Sequence, residues 1–191
     1  MIVITSDLVS EFWKFMLTKF GTTVGNKSDA VEMQIVATLL GSLGITDKEK
    51  FLNNFTTTIG KKIYTPFEIG IESSNWNLWS QIVICVHEHQ HVIQYNEKGT
   101  IYEIEYLTSR NSRALFEVEA YRSNLEMNYW RYGKSKSARE TAELLRNYGC
   151  DNDEIELAFK SLSLINSSVR QNIVVNESSK VAIDWLNSRA T

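Results

Sequence analysis

Proline occurs once in this sequence, at Pro66. A chain so poor in the residue that interrupts helices is expected to be mostly helical. Cysteine occurs twice, at Cys85 and Cys150, too rarely for a disulfide scaffold. The opening stretch, MIVITSDLVSEFWKFMLTKF, mixes acids and bases into its apolar run and lacks the basic start of a signal peptide. The two thiols are therefore expected reduced, in a cytoplasmic protein. No uncharged run reaches the ~18 residues of a membrane span. Positive charge is not in excess either: 20 Lys and Arg face 23 Asp and Glu, a net charge of −3. That balance argues against a nucleic-acid partner.

What remains is an ordinary folding composition, 43% apolar and 23% charged over 191 residues. It is enough for a single domain, residues 1–191, with a real core. No internal repeat or low-complexity tract interrupts it. Ser6 or Asp7 is expected to cap a first helix striped by Leu8, Phe12, Phe15 and Met16, broken at GTTVGNK. A second helix follows from Ser28 or Asp29, closing at Gly41 and Gly44, and a third from a Thr46 or Asp47 cap. Ile63, Thr65, Phe67 and Ile69 then alternate with polar neighbours and glycine at the period of a strand. Pro66 cannot donate to a ladder, which predicts an edge strand. Ser73, Ser74 or Asn75 is expected to cap a long helix, followed by a link near Ile101–Tyr106 and a helix from about Asn111 to Tyr132, stopped by Gly133. Two more helices fit KSARETAELLRNYG and DNDEIELAFKSLSLI, and a last fits Ser178–Asn187, with Trp185 and Leu186 either in the core or on a partner-facing patch. RQNIVV is ambiguous. The fold class is α+β, weighted strongly to α.

All three histidines fall between positions 87 and 91, in VICVHEHQHVIQY. His87, Glu88 and His91 spell H-E-x-x-H. Residues four apart on a helix share a face one turn apart, so two imidazoles can bind one Zn²⁺. The glutamate beside the first histidine can reach a water on the metal and act as general base. The rest of this helix is apolar over much of its circumference, the mark of a central, buried helix. His89 lies about 200° from His87 and is expected to be a buried histidine bonded elsewhere. Cys85, also on the far side, is expected to pack.

A catalytic zinc site keeps three protein ligands and one open position. With no histidine left, the third must be acidic or a cysteine. Glu117 and Glu119, in ALFEVEAYRSNLEMNYW, are the main candidates, with Glu103 and Glu105 outside ones. Arg113 or Arg122 offers either carboxylate an ordinary ion pair.

HEHQHVIQY followed some two dozen residues later by FEVEAYR resembles the zincin metallopeptidases of the gluzincin type. The likeness is to small bacterial and phage proteins with an H-E-x-x-H-x-x-Q helix and a downstream E-x-E-A element, and it covers roughly residues 63–132. It implies a zincin-like core: a central histidine helix, a second ligand-bearing helix and a short edge strand or small sheet. It implies Zn²⁺ on His87, His91 and a glutamate. The common gluzincin register selects Glu117, although the acidic residue usual four places on is here Tyr121. The thermolysin-like register selects Glu119 as the alternate. The implied activity is a zinc-dependent hydrolase cleaving peptide bonds in a peptide or protein substrate, with Glu88 activating a zinc-bound water. The segment Lys61–Ile69 would align the substrate by main-chain pairing. Tyr95, Tyr102, Tyr106 and Tyr121 are open choices for the oxyanion donor. Competing readings are a metal-stabilised interaction module without catalysis and a narrow-specificity effector or toxin protease.

Overall fold

The apolar stripe near the amino terminus forms α1 (Ser6–Phe20) in a computed structural model that describes residues 2–42 and 48–190. The cap is Thr5, one place ahead of expectation; its hydroxyl accepts from the Leu8 amide. Gly21, in the left-handed region, ends the helix by donating to Leu17 O. The stretch read as a break contains a short strand, β1 (Thr23–Asn26). Helix α2 (Val31–Ser42) runs through Gly41 rather than closing there, and α3 spans Lys48–Asn54. Gly44 and the expected cap at Thr46 or Asp47 lie outside the described residues.

Strands β2 (Thr57–Ile59) and β3 (Lys62–Thr65) complete a three-stranded sheet ordered β1-β3-β2, with β1 parallel and β2 antiparallel to β3. The expected edge strand is thus the central one, and it is shorter than the alternation suggested. Pro66 sits one residue past the last paired position, so its missing N–H removes nothing from the ladder. Thr65 O still accepts from the Lys27 amide at 2.9 Å. The sheet's edges are β1 and β2, so the strand within Lys61–Ile69 is not the one open to main-chain pairing.

Helix α4 (Leu78–Lys98) carries the histidines. Asn77, not Ser73, Ser74 or Asn75, caps it by accepting from the Ser80 amide at 2.8 Å. The expected link is a helix, α5 (Thr100–Thr108). The second long helix is α6 (Arg110–Tyr132), capped by the Ser109 hydroxyl and ended by Gly133 with positive φ. Then follow α7 (Ala138–Glu143) with its Ser137–Glu140 capping box, a 3₁₀ turn Leu144–Tyr148, α8 (Asn152–Val169) and α9 (Glu177–Ser188). Among the described residues the fold is mostly helical with one small sheet.

One apolar cluster gathers α1, β3, α4 and α9, with Phe12, Trp13, Ile63, Ile82 and Leu186 fully buried. A second joins α6, α7 and α8 around Leu125, Leu145 and Leu162. Leu186 is core, and Trp185 packs against Phe12 and Phe15 at 5.4 and 5.6 Å between ring centroids. Helices α4 and α6 lie against each other between these clusters, and that juxtaposition builds the site. Among the described residues no helix is long and apolar enough to cross a membrane.

Candidate metal centre

One turn of α4 separates His87 from His91, and their Nε2 atoms stand 3.2 Å apart. Glu117 reaches the same point from α6: Oε2 is 3.6 Å from His87 Nε2, and Oε1 is 3.5 Å from His91 Nε2. All three residues are buried, and their ligand atoms lie within 4.8 Å of one another. Two donors bonded at ~2.0–2.1 Å to a tetrahedral Zn²⁺ stand ~3.3 Å apart, and the closest contacts among these three residues, 3.2 to 3.6 Å, are near that value. Glu117 Oε2 is buried with no hydrogen-bond partner. An orphaned carboxylate oxygen beside two ring nitrogens is a donor set that fits a divalent ion and is costly without a cation.

The outer nitrogens are held so that the inner ones present lone pairs. The Gln94 amide nitrogen donates to Phe116 O and Glu119 Oε2, both at 3.0 Å. Its oxygen therefore faces His91 Nδ1 at 2.8 Å and makes that nitrogen the protonated one. Tyr102 Oη stands 3.0 Å from the same nitrogen. His87 Nδ1 bonds Asn124 Oδ1 at 2.9 Å. Orienting contacts of this kind are worth about 10–100-fold in metal affinity. Gln94→Ala and Asn124→Ala are each expected to weaken metal binding by about that factor in a titration against a chromophoric chelator. Unchanged affinity in both variants would remove this account of the tautomers.

Charge in the cluster is skewed as a cation site requires. Burial disfavours the His87 imidazolium, but the adjoining Glu117 carboxylate outweighs it and holds the pKa above the ordinary histidine value. Burial alone would raise the Glu117 carboxyl; His91 and His87 beside it keep it below the usual range. The Tyr106 hydroxyl donates to Glu117 Oε1 at 2.6 Å. Burial and this carboxylate push the Tyr102, Tyr106, Tyr121 and Tyr148 phenols up, so all four stay protonated at neutral pH.

Glu88 is 5% exposed and projects beside the cluster, where the Thr58 hydroxyl of β2 donates to its Oε2 at 2.7 Å. A cavity of about 290 Å³ opens over these groups, its floor including His87, Glu88, His91 and Glu117, and Thr57–Ile59 along one side.

The alternate ligand Glu119 lies elsewhere: its carboxylate accepts from Gln90 at 2.8 Å and from Gln94 at 3.0 Å. Glu103 accepts from the Gly60 amide, and Glu105 pairs with Lys98. Neither expected arginine pairs with Glu117 or Glu119: Arg122 binds Glu126, while Arg113 donates to the carbonyls of Tyr106, Leu107 and Tyr148. His89 is fully buried between Thr22 Oγ1 at 3.0 Å and Cys85 O at 2.6 Å, and burial lowers its pKa to about 4. It is a neutral core histidine, and Cys85 packs against it at 3.6 Å.

Among the tyrosines, Tyr102 and Tyr106 line the cavity, Tyr121 packs its ring on His87, and Tyr95 lies under Gly60. Sequence reasoning missed Thr58, Asn124 and Tyr148. Asn124 lies seven residues beyond Glu117, two turns along the same face, so helical spacing was the signal available for it. Tyr148 lines the cavity with its hydroxyl 3.4 Å from that of Tyr121.

Comparison of the chain with protein-family models, with characterised proteins and with solved structures finds no match.

Proposed function

We propose that this protein is a zinc-dependent hydrolase, a metallopeptidase of gluzincin type. The observation that carries the reading is the convergence of His87 Nε2, His91 Nε2 and the Glu117 carboxylate, with closest contacts of 3.2, 3.5 and 3.6 Å, on the floor of a cavity that Glu88 also lines. His87, His91 and Glu117 would hold the ion; zinc, when bound there, polarises a carbonyl and acidifies water.

The chain's own groups do the rest. Glu88, anchored through Oε2 by Thr58, keeps Oε1 for the attacking water; it accepts one proton and returns it to the leaving amine nitrogen. Edge strand β2 runs along the cavity with one side unpaired, which suits an extended peptide substrate adding its backbone there. Tyr148 lines the cavity with a protonated phenol, available to the oxygen that gains charge as the carbonyl is attacked. Tyr106 is already committed as a donor to Glu117. Both cysteines are buried and unpaired, which fits the reducing cytoplasm where we place this activity.

Elemental analysis of the purified protein, followed by digestion of a mixed peptide library, tests the proposal. One zinc per chain with chelator-sensitive cleavage is expected. Stoichiometric metal with no cleavage in any library would leave a metal-stabilised binding module instead, and absence of metal after reconstitution would end both readings.

A further inference from the structure

Lys27, directly after β1, is completely buried. Its Nζ donates to Phe51 O at 2.8 Å, to Phe55 O at 2.8 Å and to Thr57 Oγ1 at 2.7 Å. The ammonium also lies 3.4 Å from the Phe51 ring centroid. Among the described residues no carboxylate comes within ion-pair reach of it. An ammonium has three protons, and all three are spent on one short segment: the end of α3, its connection to β2, and β2 itself. Carbonyls at a helix end have no partner within the helix, and a cation there also suits the dipole. Helix α3 has only seven residues, too few to hold a position unaided.

Phe51, Phe55 and the residues of β2 line the cavity that also contains the metal cluster, and so form part of its wall. Val36, Phe51, Phe55, Ile59 and Leu107 all line the cavity as well, which gives it apolar surface besides the polar floor. Lys27 is not itself a lining residue and can act on the cavity only through this wall.

We propose that Lys27 is a positioning residue that holds Phe51, Phe55 and β2 in the register at which the cavity receives a bulky apolar side chain of the substrate. The inference rests on the metallopeptidase reading for the word substrate, but the receptor itself is a property of the metal-free protein. Burial pulls the Lys27 pKa down from its usual value to about 7; the Glu88 carboxylate on α4, the charged group that acts on it, opposes the shift. A neutral amine keeps two N–H groups for the two carbonyls and can accept from the Thr57 hydroxyl, so what is lost as pH rises through about 7 is the charge, and with it the cation–π contact to Phe51 and the added strength of the bonds to the Phe51 and Phe55 carbonyls. The wall is fully tied below that pH and loosens above it.

The test uses the full-length protein without metal, titrated with N-acetyl-phenylalanine amide and N-acetyl-alanine amide and followed by ligand-observed NMR. Wild type is expected to favour the phenylalanine probe at least about tenfold, in line with selectivities of apolar pockets, and the preference should decline above pH 7. Lys27→Met should reduce it to within about twofold and abolish its pH dependence, while a zinc-reconstituted sample keeps one ion per chain. Phe55→Ala, which truncates the wall and leaves Lys27 in place, should lose the preference as well. Should Lys27→Met not fold, the wild-type pH profile and Phe55→Ala decide. Equal binding of the two probes by wild type, an unchanged preference in a folded Lys27→Met, or a preference flat across pH 6 to 9 overturns the proposal. Failure of zinc to bind overturns the metallopeptidase reading alone.

Discussion

Glu117→Ala is expected to abolish zinc binding. A structural zinc site binds with about 10–16 kcal/mol shared among four ligands, or about 3 kcal/mol for each. Removing one should therefore cost on the order of a hundredfold or more in affinity. The substitution also leaves the Tyr106 hydroxyl without its acceptor, a loss of about 1–3 kcal/mol, so metal loss must be separated from unfolding. Glu117→Gln does this. The amide oxygen still accepts from Tyr106, the volume is unchanged, and only the anionic donor is gone. Both variants should lose zinc in competition with a chelator, and Glu117→Gln should keep its circular dichroism. Glu119→Ala provides the contrast. Its carboxylate holds Gln90 and Gln94 rather than the cluster, so stoichiometric metal should remain. Retention by Glu117→Ala with loss by Glu119→Ala would reverse the ligand assignment.

These outcomes turn on a helical phase difference that was partly legible in the sequence. Positions 117 and 119 differ by about 200° around a helix, so only one could reach the His87–His91 pair. The pairing of His87 with His91 was legible for the same local reason, and so was the exclusion of His89 and Cys85. Other parts of the site depend on distant chain segments. Thr58 reaches Glu88 across thirty residues because β2 folds back beside α4, and no local period announces that. Strand β1 has four residues, one of them Gly25, and pairs in parallel with a strand almost forty residues later. Such a pairing leaves little local alternation to read. Pro66 is deceptive in a specific way: the alternation includes it in the strand, whereas it marks the residue where pairing has just ended. The caps moved by one or two residues because several Ser, Thr, Asp and Asn side chains compete at each end, and Asn77 won where it could reach the Ser80 amide.

Glu88→Gln is expected to separate metal binding from turnover. The amide has nearly the shape of the carboxylate, and the Thr58 hydroxyl can still donate to its oxygen, so the side chain should keep its place. His87, His91 and Glu117 are untouched, and one zinc per chain should remain. What disappears is basicity: an amide cannot accept a proton from water near neutral pH and has none to return to a leaving nitrogen. General acid–base catalysis contributes about 10²–10⁴-fold, and both directions of transfer run through this one group. The rate constant kcat on any confirmed peptide should therefore fall by about a thousandfold or more. KM should change little, because Glu88 is asked to act on the reacting water and not on the peptide backbone. Thr58→Val is the milder companion. It removes one donor to Oε2 and leaves the base in place, so its loss should be much smaller. Full turnover in Glu88→Gln, with metal present and the fold intact, would assign the proton transfers to another group in the cavity. Loss of metal from that variant would instead make Glu88 a member of the ligand set.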